Sequence, residues 1–199
     1  MENGIDAIHD FWFGELDQRG LCMQDRNALW FGYDADTDAL CAERFGNLLA
    51  AALTRGLDHW ADSDRGLVAL VVLLDQLSRN IHRGTPAAFA GDARSLAAAV
   101  AAIDAGRHLA LPTIHRVFLY LPLEHAEDLP LQERCVGLFE DLLRESPPGG
   151  EDEIAGYLRY AVAHRDVIAR FGRFPHRNAI LGRASSSEEL DYLEHNSGF

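Results

Sequence analysis

The segment RGLVALVVLLDQL, from Arg65 to Leu77, decides the fold class of this chain. Apolar residues occupy most of its positions, so a helix formed by this segment would be buried on most sides. No segment of the chain alternates apolar and polar residues with the period of two that is typical of a half-buried strand. We therefore predict an all-α protein with Arg65–Leu77 as its central helix.

Helix start and stop signals lie on both sides of the central segment and predict about eight to ten helices in all. The predicted helices are residues 4–13, the segment after the acidic loop 34–38, and residues 65–77, 92–106, 112 to near 122, 129–144, 152–171 and 186–195. Their predicted N-terminal caps are Asp34, Asp92, Asp128 and the capping box of Ser186 with Glu189. Gly106 and Gly172 are the predicted C-terminal glycines.

The connections between these helices are mostly short, which is typical of antiparallel helix pairs. Pro147–Gly150 is the strongest candidate for a domain boundary, but the residues after it are too few to bury a separate core. We predict a single domain, residues 1–199, built as an array of stacked antiparallel helix pairs.

Composition excludes several classes of function. The 31 acidic residues outnumber the 18 basic ones, and the net charge of -13 argues against binding to nucleic acid or to an anionic membrane. Lysine is absent, which excludes Schiff-base chemistry and a phosphate-binding loop of the Walker type. No glycine-rich dinucleotide fingerprint occurs either, and we expect no cofactor.

The three cysteines, Cys22, Cys41 and Cys135, are far apart and form no CxxC pair. An odd number of widely spaced cysteines predicts reduced thiols and a cytoplasmic location. The N-terminus lacks the basic region and apolar run of a signal peptide. The longest apolar run, Leu67–Leu74, is too short to cross a bilayer.

The first candidate for chemistry is the segment LLDQLSRNIHRG, Leu73–Gly84. On a helix, Asp75 and Arg79 are spaced i, i+4, and Arg83 follows at the same spacing. A polar edge that continues a buried segment forms either a structural network or the wall of a ligand pocket. Both interpretations remain open from the sequence.

The second candidate is LPLEHAEDL, Leu121–Leu129, which offers three carboxylates and an imidazole within five positions. His125 and Glu127 are suited to acid–base chemistry or to metal binding, whereas Asp128 is predicted to cap a helix. The segment lacks the HExxH spacing that places two imidazoles on one helical face. We therefore predict no metal site.

The third candidate is HRDVIARFGRFPHRNAILGR, His164–Arg183, which carries five arginines but one acid. His164 lies on the apolar face of its predicted helix, where a histidine is usually part of the core. Gly172 and Pro175 bracket a tight turn that presents His176, Arg177 and Asn178. A helix N-terminus surrounded by Arg173, His176, Arg177 and Arg183 is suited to binding an anion. The alternative is that these arginines pair with Asp75, Glu127 and Asp128 across the helix array.

Together the three segments give one set of candidate ligand-binding residues. These are Asp75, Gln76, Arg79, Asn80, Arg83, His125, Glu127, His164, Arg165, Arg173, His176, Arg177 and Asn178.

Three blocks carry a resemblance to a known family: LLDQLSRNIHRGTPAAFAGD, FLYLPLEHAEDLPLQER and HRDVIARFGRFPHRNAILGR. They resemble the signature blocks of the bacterial family called domain of unknown function nine hundred and twenty-four, which is described as tetratricopeptide-repeat-like. The opening pattern of Phe11–Gly14 and Trp30-Phe31 is similar as well. The resemblance implies an all-helical array of helix pairs, and it implies neither a reaction nor catalytic residues. The family often has a small polar residue where this chain has Ala126, so no hydroxyl role is expected there.

Three hypotheses of function follow. The chain is a binding or scaffold module whose polar groove holds a peptide, another protein's acidic terminus or a small anionic ligand. Alternatively, it is a small-molecule enzyme or sensor for a phosphate- or carboxylate-bearing ligand, with His125 or His176 as general acid or base. In the third hypothesis, the polar network is purely structural. The sequence predicts neither the ligand nor the oligomeric state.

Overall fold

A computed structural model describes residues 4–196 of the chain, and within that range every regular element is helical. The ten α-helices are α1 (Gly4–Trp12), α2 (Asn27–Phe31), α3 (Ala35–Leu53), α4 (Asp64–Val71), α5 (Ser78–Ile81), α6 (Asp92–Asp104), α7 (Thr113–Glu124), α8 (Leu129–Arg144), α9 (Glu151–Phe171) and α10 (Ser187–His195). Short 3₁₀ turns complete several connections. The all-α prediction is confirmed.

The predicted central helix is present, but it is not a uniform α-helix. Helix α4 continues without a break into a π-helical segment, Val72–Leu77, and then into α5. Every residue from Gly66 to Leu77 is buried, because α3, α6 and α7 pack around this segment. The π-helical part contains Asp75 and Gln76, and such local widening of a helix is frequent at functional sites.

Most of the predicted helix boundaries are confirmed by the caps. The side chains of Asp34, Asp128 and Ser186 each accept a hydrogen bond from a backbone N–H of the helix that follows. Gly106 and Gly172 adopt left-handed conformations, with φ of 71° and 69°, just after α6 and α9. These positions therefore end their helices as predicted.

The predicted capping role of Asp92 is wrong. Gly91 is the N-cap of α6, and Asp92 is the first residue of the helix. A Cβ atom at Gly91 would lie 2.2 Å from the carbonyl oxygen of Leu74, so only glycine allows α6 to start this close to the central segment. The side chain of Asp92 turns toward Arg79 and Arg177 instead.

Helix α7 does not end at Pro122. It continues to Glu124, with His125 as its C-cap, and these two residues lie at the end of a helix that is buried from Ile114 onward. Helix α8 then packs against both α7 and α9. The C-terminal part adds a small apolar cluster around Val167, Ile168 and Phe174. Among the described helices, none is both long and apolar enough to cross a membrane.

Candidate functional site

A cavity of about 730 Å³ lies between the central segment, the end of α7, helix α9 and the turn after α9. Its polar lining includes Gln76, Arg79, Asn80, Arg83, Glu124, His125, Asp152, Glu153, His164, His176 and Arg177. Its aromatic lining includes Trp30, Phe31, Phe89, Tyr157 and Tyr160. The three segments that the sequence singled out therefore meet at one cavity.

The structure places eight of the candidate residues in the cavity lining and the other five outside it. The lining residues are Gln76, Arg79, Asn80, Arg83, His125, His164, His176 and Arg177. Those outside are Asp75, Glu127, Arg165, Arg173 and Asn178. Of the residues outside the lining, Asp75 contacts His125 of the cavity wall. Glu127 and Arg173 form contacts that hold the C-terminal turn in place.

Asp75 lies behind the cavity wall and holds His125. Its carboxylate is fully buried, and its two oxygens lie 2.8 and 3.0 Å from Nδ1 of His125. The side-chain amide of Gln76 donates to the same carboxylate. Burial alone would raise the pKa of Asp75, but the His125 ring and the Arg79 guanidinium outweigh it and hold that pKa well below its usual range.

His125 is therefore oriented by an ionised carboxylate. Burial lowers its pKa, and the Asp75 carboxylate opposes that shift. Because Nδ1 faces Asp75, the ring presents Nε2 to any group in the cavity. The Asp75–His125 contact joins the first candidate segment to the second.

Arg79 and Arg177 both line the cavity, and both guanidiniums lie close to the ring of Phe89. The Cζ atom of Arg79 lies 5.2 Å from the centroid of the Phe89 ring, and that of Arg177 lies 5.0 Å from it. Asp92 contacts both guanidiniums, at 3.2 Å from Arg79 and 3.8 Å from Arg177. One carboxylate is thus shared by two cations.

Arg177 is the most deeply buried of the arginines in the third segment. Its side chain is 8% exposed, its Nη1 donates to the backbone carbonyl of His125 at 3.0 Å, and its Nε is buried without a hydrogen-bond acceptor. The ring of Phe174 covers its other face, with the centroid 4.4 Å from Cζ. Burial and the nearby Arg79 lower the pKa of Arg177 to about 10, which still leaves the guanidinium charged at neutral pH.

The other arginines of this segment are neutralised, but of the three partners that the structural interpretation predicted only Glu127 takes part. Arg173 binds Glu189 through two nitrogens at 2.6 and 2.8 Å, and Arg183 binds both oxygens of Glu127. Arg165 contacts Asp166, and Arg170 contacts Glu188. In the first segment, Arg83 and Asn80 both donate to Asp38 of α3.

Three further candidates have structural partners. Glu127 accepts the backbone N–H of Phe174 at 2.8 Å in addition to Arg183, and the side-chain amide of Asn178 donates to Ser185. His164 Nδ1 lies 2.8 Å from the carbonyl oxygen of Tyr160 and 3.2 Å from Oε1 of Glu124. Its placement among buried residues fits the core histidine expected on the apolar face of α9.

Sequence reasoning missed several lining residues. Tyr157 and Tyr160 share a face of α9 with His164 at i, i+3 and i+7, a spacing that was visible in the sequence. Glu124 stood in the second segment but was not selected. Phe89 lies in a 3₁₀ turn. Nothing in the sequence indicates that two arginines lie close to its ring.

Comparisons with known proteins agree with this fold and assign no ligand. The family model described as "Bacterial protein of unknown function (DUF924)" matches residues 8–197. A solved structure of a protein of unknown function from Agrobacterium tumefaciens is similar, with 39% sequence identity and a TM-score of 0.79. The match covers 96% of this chain and 97% of that one. No curated protein matches the sequence.

Proposed function

The chain belongs to the DUF924 family of bacterial proteins of unknown function, and we propose that it is a binding protein for a molecule with a carboxylate or phosphate group. In this proposal the anionic group binds to Arg177 and Arg79 inside the cavity. The observation that carries the proposal is the state of Arg177: a buried, charged guanidinium that lines a cavity and lies no nearer to a described carboxylate than 3.8 Å.

The ion-pair distances around Arg177 support the binding of an anion at this position. Charge-assisted hydrogen bonds between a guanidinium and a carboxylate measure about 2.7–2.9 Å, and the pairs of Arg173 and Arg183 in the same segment meet that value at 2.6 Å. The contacts of Asp92 with Arg79 and Arg177 are longer, at 3.2 and 3.8 Å. Since an uncompensated buried charge is costly, a bound anion would stabilise both guanidiniums.

The aromatic lining indicates the rest of the ligand. Trp30, Phe31, Tyr157 and Tyr160 line the same cavity as the two arginines, and aromatic side chains provide apolar contact area with a polar tip. A volume of about 730 Å³ lies within the range of about 300–1,000 Å³ that small-molecule sites occupy. We therefore propose a ligand that joins its anionic group to an apolar or aromatic body.

A peptide C-terminus carries the same carboxylate, and the scaffold hypothesis makes it a second source of the ligand. In this version we also propose that the helix pairs stack as a tetratricopeptide-like superhelix around the groove. The packing of α7, α8 and α9 in succession supports this version. The experiment separates the two sources by using small molecules and peptides as different arms.

The test is a thermal-shift screen followed by calorimetry. The panel contains aromatic and aliphatic carboxylates, phosphorylated metabolites, and peptides with a free or an amidated C-terminus. At about one hundred times Kd, a ligand that binds the native state adds about 2.7 kcal/mol, or about 5–10 °C in Tm for a chain of this size. Small molecules that raise Tm support the small-molecule source, and peptides that require a free C-terminus support the peptide source.

The matched variants are Arg177→Met and Arg170→Met. Both remove an arginine from the same segment, but Arg170 lies outside the cavity in an exposed pair with Glu188. We expect Arg177→Met to abolish the shift and Arg170→Met to retain it. Ligands that raise the Tm of both variants equally would contradict the proposal.

A second candidate function, an enzyme acting on the same class of ligand, is favoured by the Asp75–His125 pair. A buried carboxylate 2.8 Å from Nδ1 fixes the tautomer and orientation of an imidazole, which is the arrangement of a general base. The test is to incubate each ligand from the screen with the protein and follow its conversion by mass spectrometry. Conversion that is lost in His125→Gln while binding persists would establish the enzyme.

A further inference from the structure

We propose that Glu124, His125 and His164 form a binding site for a divalent transition-metal ion, with Zn²⁺ as its simplest occupant. Each of the three residues offers one ligand atom, and these atoms lie within 4.8 Å of one another. The rings of His125 and His164 have their centroids 6.1 Å apart. All three residues line the cavity described above.

The fold brings the three residues together from two helices. Glu124 ends α7 and His125 caps it, and His164 lies on the facing side of α9. Glu124 is 4% exposed and His164 is 6% exposed. Side chains packed this tightly lose little freedom when a metal binds, which favours a defined site over a chance cluster.

Asp75 supplies an independent observation that points to a metal. In metal sites, a coordinating histidine commonly donates its other ring N–H to a carboxylate, which fixes the tautomer and raises the basicity of the ligand nitrogen. The 2.8 Å contact between Asp75 and Nδ1 of His125 is this arrangement. It leaves Nε2 as the nitrogen of His125 that can coordinate, and with a metal bound His125 is a ligand and not the general base of the second candidate function.

The charges around the cluster also favour a cation. The carboxylate of the buried Glu124 lies 3.2 Å from Nδ1 of His164, and no arginine of the described residues forms an ion pair with it. Asp75 and Asp92 add negative charge near His125, whereas Arg79 and Arg177 oppose a dication. With Glu124 ionised, three carboxylates face two guanidiniums, and a dication leaves the group with a single positive charge.

The donor set selects the class of metal. Two imidazoles and one carboxylate suit Zn²⁺ and similar ions, whereas Ca²⁺ and Mg²⁺ prefer oxygen ligands throughout. Three protein ligands with a cavity beside them leave a fourth position for water or for a ligand, as in catalytic zinc sites. Bonds of about 2.0–2.1 Å bring the ligand atoms of a tetrahedral site to about 3.4 Å, so the three side chains must close slightly around the ion.

The proposed site differs from our expectation from the sequence that no metal binds. The expectation rested on the absence of an HExxH helix, but here the ligands come from two helices and no local spacing reveals them. The inference does not depend on the proposed anion binding. An anion can bind Arg177 without a metal, and a metal can bind the cluster without an anion, so the two proposals fail separately.

The test uses the untagged protein after dialysis against a chelator. Calorimetry with Zn²⁺ should show one site per chain, and Co²⁺ should give visible absorption bands of low-symmetry coordination. We expect Glu124→Gln and His164→Gln each to weaken Zn²⁺ binding at least about tenfold, and Asp75→Asn to weaken it about 10–100-fold through the loss of orientation of His125. Melting curves of the metal-free variants verify that each is folded.

His115→Asn is the control, since His115 is a buried histidine that packs against His9 and Phe13 away from the cavity. This variant should bind Zn²⁺ as the wild type does. No saturable site in the wild-type protein would overturn the proposal. Equal Zn²⁺ affinity in the wild type and in folded Glu124→Gln and His164→Gln would overturn it as well, because the metal would then bind elsewhere.

Discussion

Nη1 of Arg177 lies 3.8 Å from Oδ2 of Asp92, whereas Arg173 and Arg183 of the same segment lie 2.6 Å from their carboxylate partners. This difference separates the arginines that hold the C-terminal turn in place from the one that faces the cavity. The sequence left open whether the clustered arginines are neutralised by carboxylates of the chain or bind an anion. Four of the five arginines are neutralised by close carboxylates, and Arg177 lines the cavity with its nearest ion-pair partner at 3.8 Å.

The first prediction is that Arg177→Met barely changes the stability of the ligand-free protein. The methionine keeps apolar contact with Phe89 and Phe174 and removes a buried charge, so we expect the free energy of unfolding to stay within about 1 kcal/mol of the wild-type value. Arg183→Met should lose about 1–2 kcal/mol, because it leaves Glu127 without its paired cation. Urea denaturation measures both, and a large loss in Arg177→Met alone would mean that this arginine is structural.

The second prediction concerns the attachment of α10. The side chain of Glu189 is 4% exposed, and it accepts hydrogen bonds from Arg173 and from the backbone N–H of Ser186. Glu189→Gln should therefore open α10 locally, with a loss of about 1–3 kcal/mol that hydrogen exchange of the helix reports. Glu188→Gln changes the neighbouring, exposed carboxylate and should leave the exchange unchanged. Equal exchange in the two variants would contradict the role of Glu189.

Acid should also weaken this attachment. The bonds from Arg173 and Ser186 lower the pKa of Glu189 to about 2 from 4.5. A carboxylate with a lowered pKa contributes its stability above pH 4.5, and this contribution is lost as the pH falls toward 2. After correction for the intrinsic exchange rate, which itself varies with pH, the protection of the α10 amides should decrease over that interval in the wild type and should change less with pH in Glu189→Gln.

The third prediction is a loss of global stability in acid that arises from buried histidines. Burial, His9 and Arg65 lower the pKa of His115 from 6.5 to about 3. The unfolded chain therefore takes up a proton first, and stability falls by about 1.4 kcal/mol per pH unit for this histidine between pH 6.5 and 3. His115→Asn should reduce the slope of unfolding free energy against pH by that amount. An unchanged slope would show that His115 is protonated in the fold.

The fourth prediction uses two glycines in contrasting surroundings. A Cβ atom at Gly91 would meet the carbonyl oxygen of Leu74 at 2.2 Å, whereas a Cβ atom at Gly137 of α8 meets nothing within 4 Å. Gly91→Ala should destabilise the protein and displace α6 from the central segment, because backbone blocks the methyl group. Gly137→Ala should stabilise it by about 0.5–1 kcal/mol. Thermal unfolding of both variants is the measurement, and equal Tm changes would contradict this account of Gly91.

The sequence predicted the fold through features that act locally. Apolar periodicity identified the helices, and side chains such as Asp34, Asp128 and Ser186 identified their first turns. The π-helical segment was not predictable, because it depends on how the buried residues around Asp75 pack against three other helices. The role of Asp92 was missed for the same reason, since the close approach of Gly91 to Leu74 is a tertiary contact.

The chemistry of the residues predicted which segments form the candidate site. The sequence did not predict which arginine pairs with which carboxylate. Polar residues within the apolar segments drew attention to Asp75, His125 and Arg177, and all three lie at or behind one cavity. Which arginine each carboxylate neutralises depends on the positions of α3, α9 and α10, as the partners of Arg83 and Arg173 show. Family membership, which the three blocks indicated, is confirmed by the match over residues 8–197.

The central claim is that an anionic ligand binds to the guanidinium of Arg177, and the Nε–H group of that residue reports it most directly. In ¹H–¹⁵N spectra of the arginine side chains, the Arg177 resonance is assigned by its absence in Arg177→Met. We predict that every panel member that raises Tm shifts this resonance and leaves that of Arg170 in place. A ligand that raises Tm while the Arg177 resonance stays unmoved, or a panel in which nothing moves it, would contradict the account.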